Sequence, residues 1–173
     1  ILGNFVESIN TPHGTFHAVV FEAMPGKQLD LEELSTAQLV RWGRALGELH
    51  QAAMNYSSPG RASWQDHLKM VSEIVPAEES AAHEELERLQ HELNHLAITK
   101  HNFGLIHYDF EPDNLIWDGD QPGMIDFDDC AWYWFVADIA GALSDLFEDR
   151  ASKVDFQNES FLHFIKGYRS VRA

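Results

Sequence analysis

The chain has 173 residues, 45% of them hydrophobic, which is enough to bury one core and too apolar for wholesale disorder. Twelve Lys and Arg stand against 28 Asp and Glu, a formal net charge of −16, which argues against nucleic acid or an anionic membrane surface as the main partner. No apolar run is long enough to span a bilayer, the first ten residues lack a basic region followed by an apolar stretch, and Cys130 is the only cysteine, so a disulfide-free protein of the reducing cytoplasm is expected. Nothing in the sequence specifies an oligomeric state.

In chain order, Phe5 to Ile9 and Thr15 to Glu22 read as strands around the turn Thr11-Pro12-His13-Gly14. Two strands alone are marginal, so this hairpin must lean on something else. Met24-Pro25-Gly26 breaks the pattern, and a helical turn follows at Leu31 to Leu34. Ser35 or Thr36 caps a helix to about Tyr56, with Leu39, Trp42, Gly43, Leu46 and Leu49 on one face. Helices are expected from Trp64 to Val75 and from Ala77 to about Thr99, the latter with Leu86, Leu89, Leu93 and Leu96 as a buried stripe. A strand at Leu105 to His107 leads into a polar segment. Asn114 to Trp117 and Gly123 to Asp126 then form a short hairpin across Asp118-Gly119-Asp120. Helices at Asp138 to Phe147 and Phe156 to Tyr168 complete the chain.

The distribution of charge says more than its total. Between Lys100 and Arg150 there is no Lys or Arg, while twelve Asp and Glu occur among strongly apolar residues. Carboxylates on short apolar strands suggest a site rather than a solvated face. The centre is His107-Tyr108-Asp109-Phe110-Glu111-Pro112-Asp113-Asn114, and Asp126 follows twelve residues after Asn114 in Ile125-Asp126-Phe127-Asp128-Asp129. Phosphoryl transfer from ATP needs a carboxylate to orient the acceptor hydroxyl and hard oxygen ligands to hold magnesium against the phosphates. A loop with Asp109 at one end and Asn114 at the other, beside a strand bearing Asp126, can supply both. Taken alone, Asp109 and Asn114 are also ordinary turn residues, and Asp128 and Asp129 read equally well as a solvated loop.

The pattern H-x-D-x-x-x-x-N followed by I-D-F-D-D resembles the aminoglycoside and choline kinase-like phosphotransferases, which share the protein-kinase-like fold. Pro112 matches the family's loop proline. Phe21 to Gly26 resembles the hinge between two lobes, Gly43 to His50 the first long helix of the large lobe, and Asp138-Ile139-Ala140 the helix start after the metal-binding strand. The resemblance implies an α+β fold. In it, residues 1–24 are a remnant of the small lobe's strands and hinge, and residues 25–173 are a mostly helical large lobe with a short catalytic β-hairpin, incomplete at both chain ends. It implies a small-molecule kinase using ATP and magnesium. Asp109 would be the base, with His107 bracing its loop. Asn114 and Asp126 would hold magnesium and nucleotide, and backbone groups near Glu22 and Met24 would bind the adenine edge. Glu111 and Asp128 would face a small, possibly amine-bearing, cationic acceptor.

Two features depart from the family. A phosphate-covering loop and its lysine are missing, Lys27 following the hinge in the wrong place, and the further helices usual in the family after the position of Tyr168 are missing too. The chain alone is therefore expected to have little activity, and a non-catalytic, pseudokinase-like binding module is the alternative. Trp132, Tyr133 and Trp134 read first as core and otherwise as an aromatic wall for an amine. His91 and His95, four apart on one helix, have transition-metal spacing without an evident third ligand. His50 reads as a partly buried helix residue.

Overall fold

The computed structural model describes residues 6–57, 59–147 and 155–172. Strands β1 (Val6–Thr11) and β2 (Gly14–Val19) pair antiparallel from Thr11 opposite Gly14 to Val6 opposite Val19. Gly14 takes φ +127° at the turn, a conformation open to glycine and strained for other residues. The expected continuation of β2 to Glu22 does not form: the ladder ends at Val19, and Val20 and Phe21 stand 83% and 82% exposed. Phe5 lies outside the described residues.

Helix α1 (Thr36–Ala53) starts in a capping box, with Ser35 Oγ accepting from Gln38 N while the Gln38 side chain accepts from Ser35 N. It packs along α5 (Glu159–Arg169), whose own cap is Asn158, accepting from Phe161 N at 3.1 Å. The two backbones touch. A Cβ on Gly43 would collide with the Phe164 carbonyl, and one on Gly167 would collide with the Val40 carbonyl. Trp42, Leu46, Phe110, Leu115 and Phe164 form the core between these helices and the segment that follows residue 107. Trp42 meets Phe164 edge-on at 4.8 Å, and its indole N–H donates to the Phe110 carbonyl at 3.3 Å.

Helices α2 (Trp64–Ile74) and α3 (Ser80–His95) pack on each other at one side. The expected stripe on α3 is not a buried one. Leu86 and Leu93 pack partly against Trp64, Leu68 and Trp134, but Leu89 and Leu96 are 36% and 49% exposed. Leu96 is already the extended C-cap, so it leaves the helical face.

Three short strands carry the polar segment, and a fourth was not expected. β3 (Phe103–Ile106) pairs antiparallel with β6 (Ala131–Trp134), so the aromatic run expected as core or wall is a strand. β4 (Leu115–Asp118) and β5 (Gln121–Met124) make the expected hairpin, but its turn is only Gly119-Asp120, with Gly119 at φ +60°. The shorter turn moves β5 two residues towards the N-terminus of its expected span, and Asp126 falls beyond the strand end instead of closing it. Helix α4 (Phe135–Ala142) begins directly after β6, three residues ahead of the expected start, and a 3₁₀ turn, Ser144–Phe147, replaces its last turns.

Candidate active site

The loop from His107 to Asn114 is held from behind by one carboxylate. Asp138 on α4 is fully buried and accepts three bonds: from His107 N at 2.9 Å, Tyr108 N at 2.8 Å and His50 Nε2 at 3.0 Å. A carboxylate only accepts, so His50 carries its proton on Nε2, and its Nδ1 accepts from the Tyr168 hydroxyl at 2.9 Å. Burial pulls the His50 pKa below its ordinary 6.5 despite the opposing Asp138 charge, so the ring stays neutral. His50 is therefore wholly buried, not partly buried as expected, and stacks on Phe135 at 4.5 Å. Neither His50 nor Asp138 stood among the site residues expected from sequence. The available signal was a lone Asp in the apolar helix Phe-Val-Ala-Asp-Ile-Ala-Gly-Ala, since a buried acid requires donors.

His107 is fully buried and spans two segments. Its Nε2–H donates to the Ile125 carbonyl at 2.9 Å, and its ring lies 4.6 Å from that of Phe127. Tyr108 takes φ +76° and Asp126 takes φ +59°, both in the left-handed region that non-glycine residues seldom occupy. These are the non-glycine positive-φ residues among those described: Tyr108 adjoins Asp109, and Asp126 is itself one of the acidic positions the sequence singles out.

Asp109 and Asn114 are brought together. Asn114 Nδ2 donates to both the Asp109 carbonyl and Asp109 Oδ2, each at 2.9 Å. The Asn114 carbonyl in turn accepts from Ile125 N at 3.1 Å, which sets Asp126 beside the same loop. The Asn114 amide nitrogen is thereby committed to Asp109, and its side-chain oxygen is an acceptor. Asp126 and Asn114 thus offer hard oxygen donors, the chemistry magnesium prefers. Among the described residues no three His, Cys, Asp or Glu side chains form a metal cage of their own.

The segment around Met24 to Gln28 is stitched to this hairpin. Lys27 and Trp117 exchange backbone bonds of 3.1 and 2.8 Å, and the Met24 thioether and methyl cover Gly123 of β5. Met24 therefore sits at the edge of the hairpin, whereas Glu22 is exposed two residues earlier. Gln28 donates to the Asp113 carbonyl, a further tie between the hinge side and the loop. Glu111 accepts from Ser144 Oγ at 3.1 Å. Burial raises its pKa, helped by Asp145, Asp109 and Asp113 and opposed by the serine. Asp128 is exposed, and its carbonyl accepts from Arg61 Nη1 at 2.7 Å, which ties the acidic loop to the start of α2. On α3, His95 Nδ1 donates to the His91 carbonyl at 2.7 Å.

The chain is 29% identical over 179 residues to the amicoumacin kinase of Bacillus subtilis (strain 168), an alignment covering 96% of this chain and 52% of that protein. Its structure is similar to that of amicoumacin kinase hAmiN in complex with AMP-PNP, Ca2+ and Ami, with a TM-score of 0.83 and 26% identity over 99% of this chain and 54% of the other. It is also similar to a microcompartment-associated aminopropanol kinase, with a TM-score of 0.71 and 25% identity over 99% and 57% of the two chains. The chain spans about half the length of these relatives. The model of the phosphotransferase enzyme family matches residues 6–173, and the chain belongs to that family.

Proposed function

We propose that this chain is the acceptor- and metal-binding half of an ATP- and magnesium-dependent kinase that phosphorylates a hydroxyl of a small molecule. The observation that carries this reading is the bond from Asn114 Nδ2 to Asp109 Oδ2, with Ile125 N on the Asn114 carbonyl. One short network thereby joins a candidate base to two candidate metal ligands. Asp109 would accept or orient the acceptor's hydroxyl proton, held in aim by Asn114. Asn114 and Asp126 would hold magnesium, which supplies charge neutralisation at the phosphates when bound. His107 fixes the spacing between the two segments through the Ile125 carbonyl. Met24 and the backbone near Glu22 would meet the adenine edge beside β5, and Glu111 and Asp128 would face an amine-bearing acceptor.

The kinase titles of the relatives support the reaction class, and the AMP-PNP and Ca2+ in the hAmiN complex support a nucleotide with a divalent ion. We expect little turnover from the chain alone, which has no lysine before Lys27 to pair the nucleotide's phosphates. The test is phosphoryl transfer by a version extended with a family small lobe, using an amino-alcohol panel. Asp109→Asn should lower kcat by roughly 10²- to 10⁴-fold, as loss of a general base does, with nucleotide affinity unchanged. Unchanged kcat in that variant would remove Asp109 from the chemistry.

A further inference from the structure

The buried cluster behind the 107–114 loop reaches one residue further than the proposed reaction uses. Asp138 meets the loop directly, through the His107 and Tyr108 amides, and His50 donates to the same carboxylate. Tyr168, on α5, enters this network at the far nitrogen of His50, 2.9 Å away. The packing of His50 does not settle which way its ring points. The ring stacks on Phe135 at 4.5 Å with 22° between the planes. A half turn about its Cβ–Cγ bond would leave that stack in the same plane. The ring is also wholly buried, so each nitrogen needs a partner within the protein.

The hydrogen bonds at its two nitrogens therefore fix both the ring's orientation and its tautomer. Which nitrogen carries the proton is set by the bond that the other one makes. A tyrosine hydroxyl donating to Nδ1 leaves the proton on Nε2, facing Asp138. Burial raises the Tyr168 pKa, Arg172 opposes that rise and Asp138 adds to it, so the phenol keeps the proton that it donates. With the proton on Nδ1 instead, Nε2 would turn a lone pair towards a carboxylate oxygen 3.0 Å away, and Asp138 would lose a donor. We propose that Tyr168 is a positioning residue of the candidate active site: its hydroxyl selects the Nε2–H form of His50, and through Asp138 that form holds the left-handed Tyr108 backbone beside Asp109. The consequence for turnover rests on the kinase reading; the selection of the tautomer does not. Removing the hydroxyl leaves a buried Nδ1 unpaired and frees the ring to turn or to shift its proton.

The test is nitrogen NMR of the labelled chain at about pH 8, where the His50 ring is neutral. In the parent, His50 Nε2 should give a protonated, pyrrole-type signal and Nδ1 an unprotonated, pyridine-type one, with His50→Gln assigning both. Tyr168→Phe should move the two signals towards a mixture of forms. It should also speed hydrogen exchange at the Tyr108 amide by about tenfold relative to the Leu46 amide of the core, as loss of a hydrogen bond to a buried group gives. Ile165→Ala removes packing from the same helix, outside the cluster. It should lower the melting temperature and leave the His50 signals and the exchange ratio as in the parent. A proton on Nδ1 in the parent overturns the proposal without any variant. A Tyr168→Phe chain, folded by circular dichroism, that matches the parent in both readouts overturns it too, as does an Ile165→Ala chain that reproduces the change. Turnover is read separately, in the version extended with a small lobe: Tyr168→Phe should lower kcat by about tenfold with the acceptor KM unchanged. An altered His50 spectrum with unchanged kcat would leave Tyr168 holding the loop and remove Asp109 from the chemistry.

Discussion

Asp138 concentrates more structural consequence than any other side chain of the site. Its two oxygens satisfy the backbone N–H groups of His107 and Tyr108 and the ring of His50, and the left-handed Tyr108 is tolerated because that carboxylate fixes its amide. Asp138→Ala should destabilise the fold by roughly 3 kcal/mol or more, since it strands buried donors, and chemical denaturation would measure it. His50 gives a pH prediction from the same cluster. Its folded pKa lies below the unfolded 6.5, so the unfolded chain binds the proton first as pH falls. Stability is therefore full above about pH 6.5 and declines below it, down through the depressed folded value. His50→Gln should flatten the melting temperature between pH 7 and pH 5. An unchanged slope in that variant would assign the pH dependence elsewhere.

At the scale of elements, the α1–α5 pair sets the frame on which the loop rests. Gly43 and Gly167 allow two helix backbones to cross in contact, and each abuts a carbonyl that cannot yield as a flexible side chain would. Gly43→Ala and Gly167→Ala should each destabilise the chain by about 1–3 kcal/mol or more, the range for overpacked sites, although alanine favours helix elsewhere. Thermal melts of the two variants check this. These elements also show what a sequence conveys. The α1 face was legible because 3.6-residue periodicity and a Ser–Gln capping box act locally. The closeness of Asp109 and Asn114 was legible because the loop that joins them is short. Strand β6 was not, because Trp132-Tyr133-Trp134 lacks alternation and its partner, β3, is distant in sequence. The open side of α3 was not legible either, since helical periodicity states which face is apolar and not whether anything covers it. The cluster of His50, Asp138 and Tyr168 joins residues 88 and 118 positions apart, beyond any local signal.

Over the whole molecule, two kinds of surface stand apart. One is the acidic face around the 107–114 loop and residues 126–129, where no lysine or arginine between residues 100 and 150 offsets the carboxylates. Such a face attracts divalent cations and amine-bearing molecules, and raised ionic strength should weaken both. The other is apolar: the β1–β2 hairpin, with Ile9 and Phe16 about 60% exposed, continuing into Val20 and Phe21. Exposed apolar strands of this kind mark a surface made to be covered.

The most direct measurement is calorimetric titration of the folded chain with AMP-PNP, with and without magnesium, beside its Asp126→Ala variant. The account predicts weak nucleotide binding that requires magnesium and falls by about tenfold or more in the variant, as loss of a charged metal ligand gives. Binding that ignores magnesium, or an Asp126→Ala variant that binds magnesium and nucleotide like the parent, would contradict it.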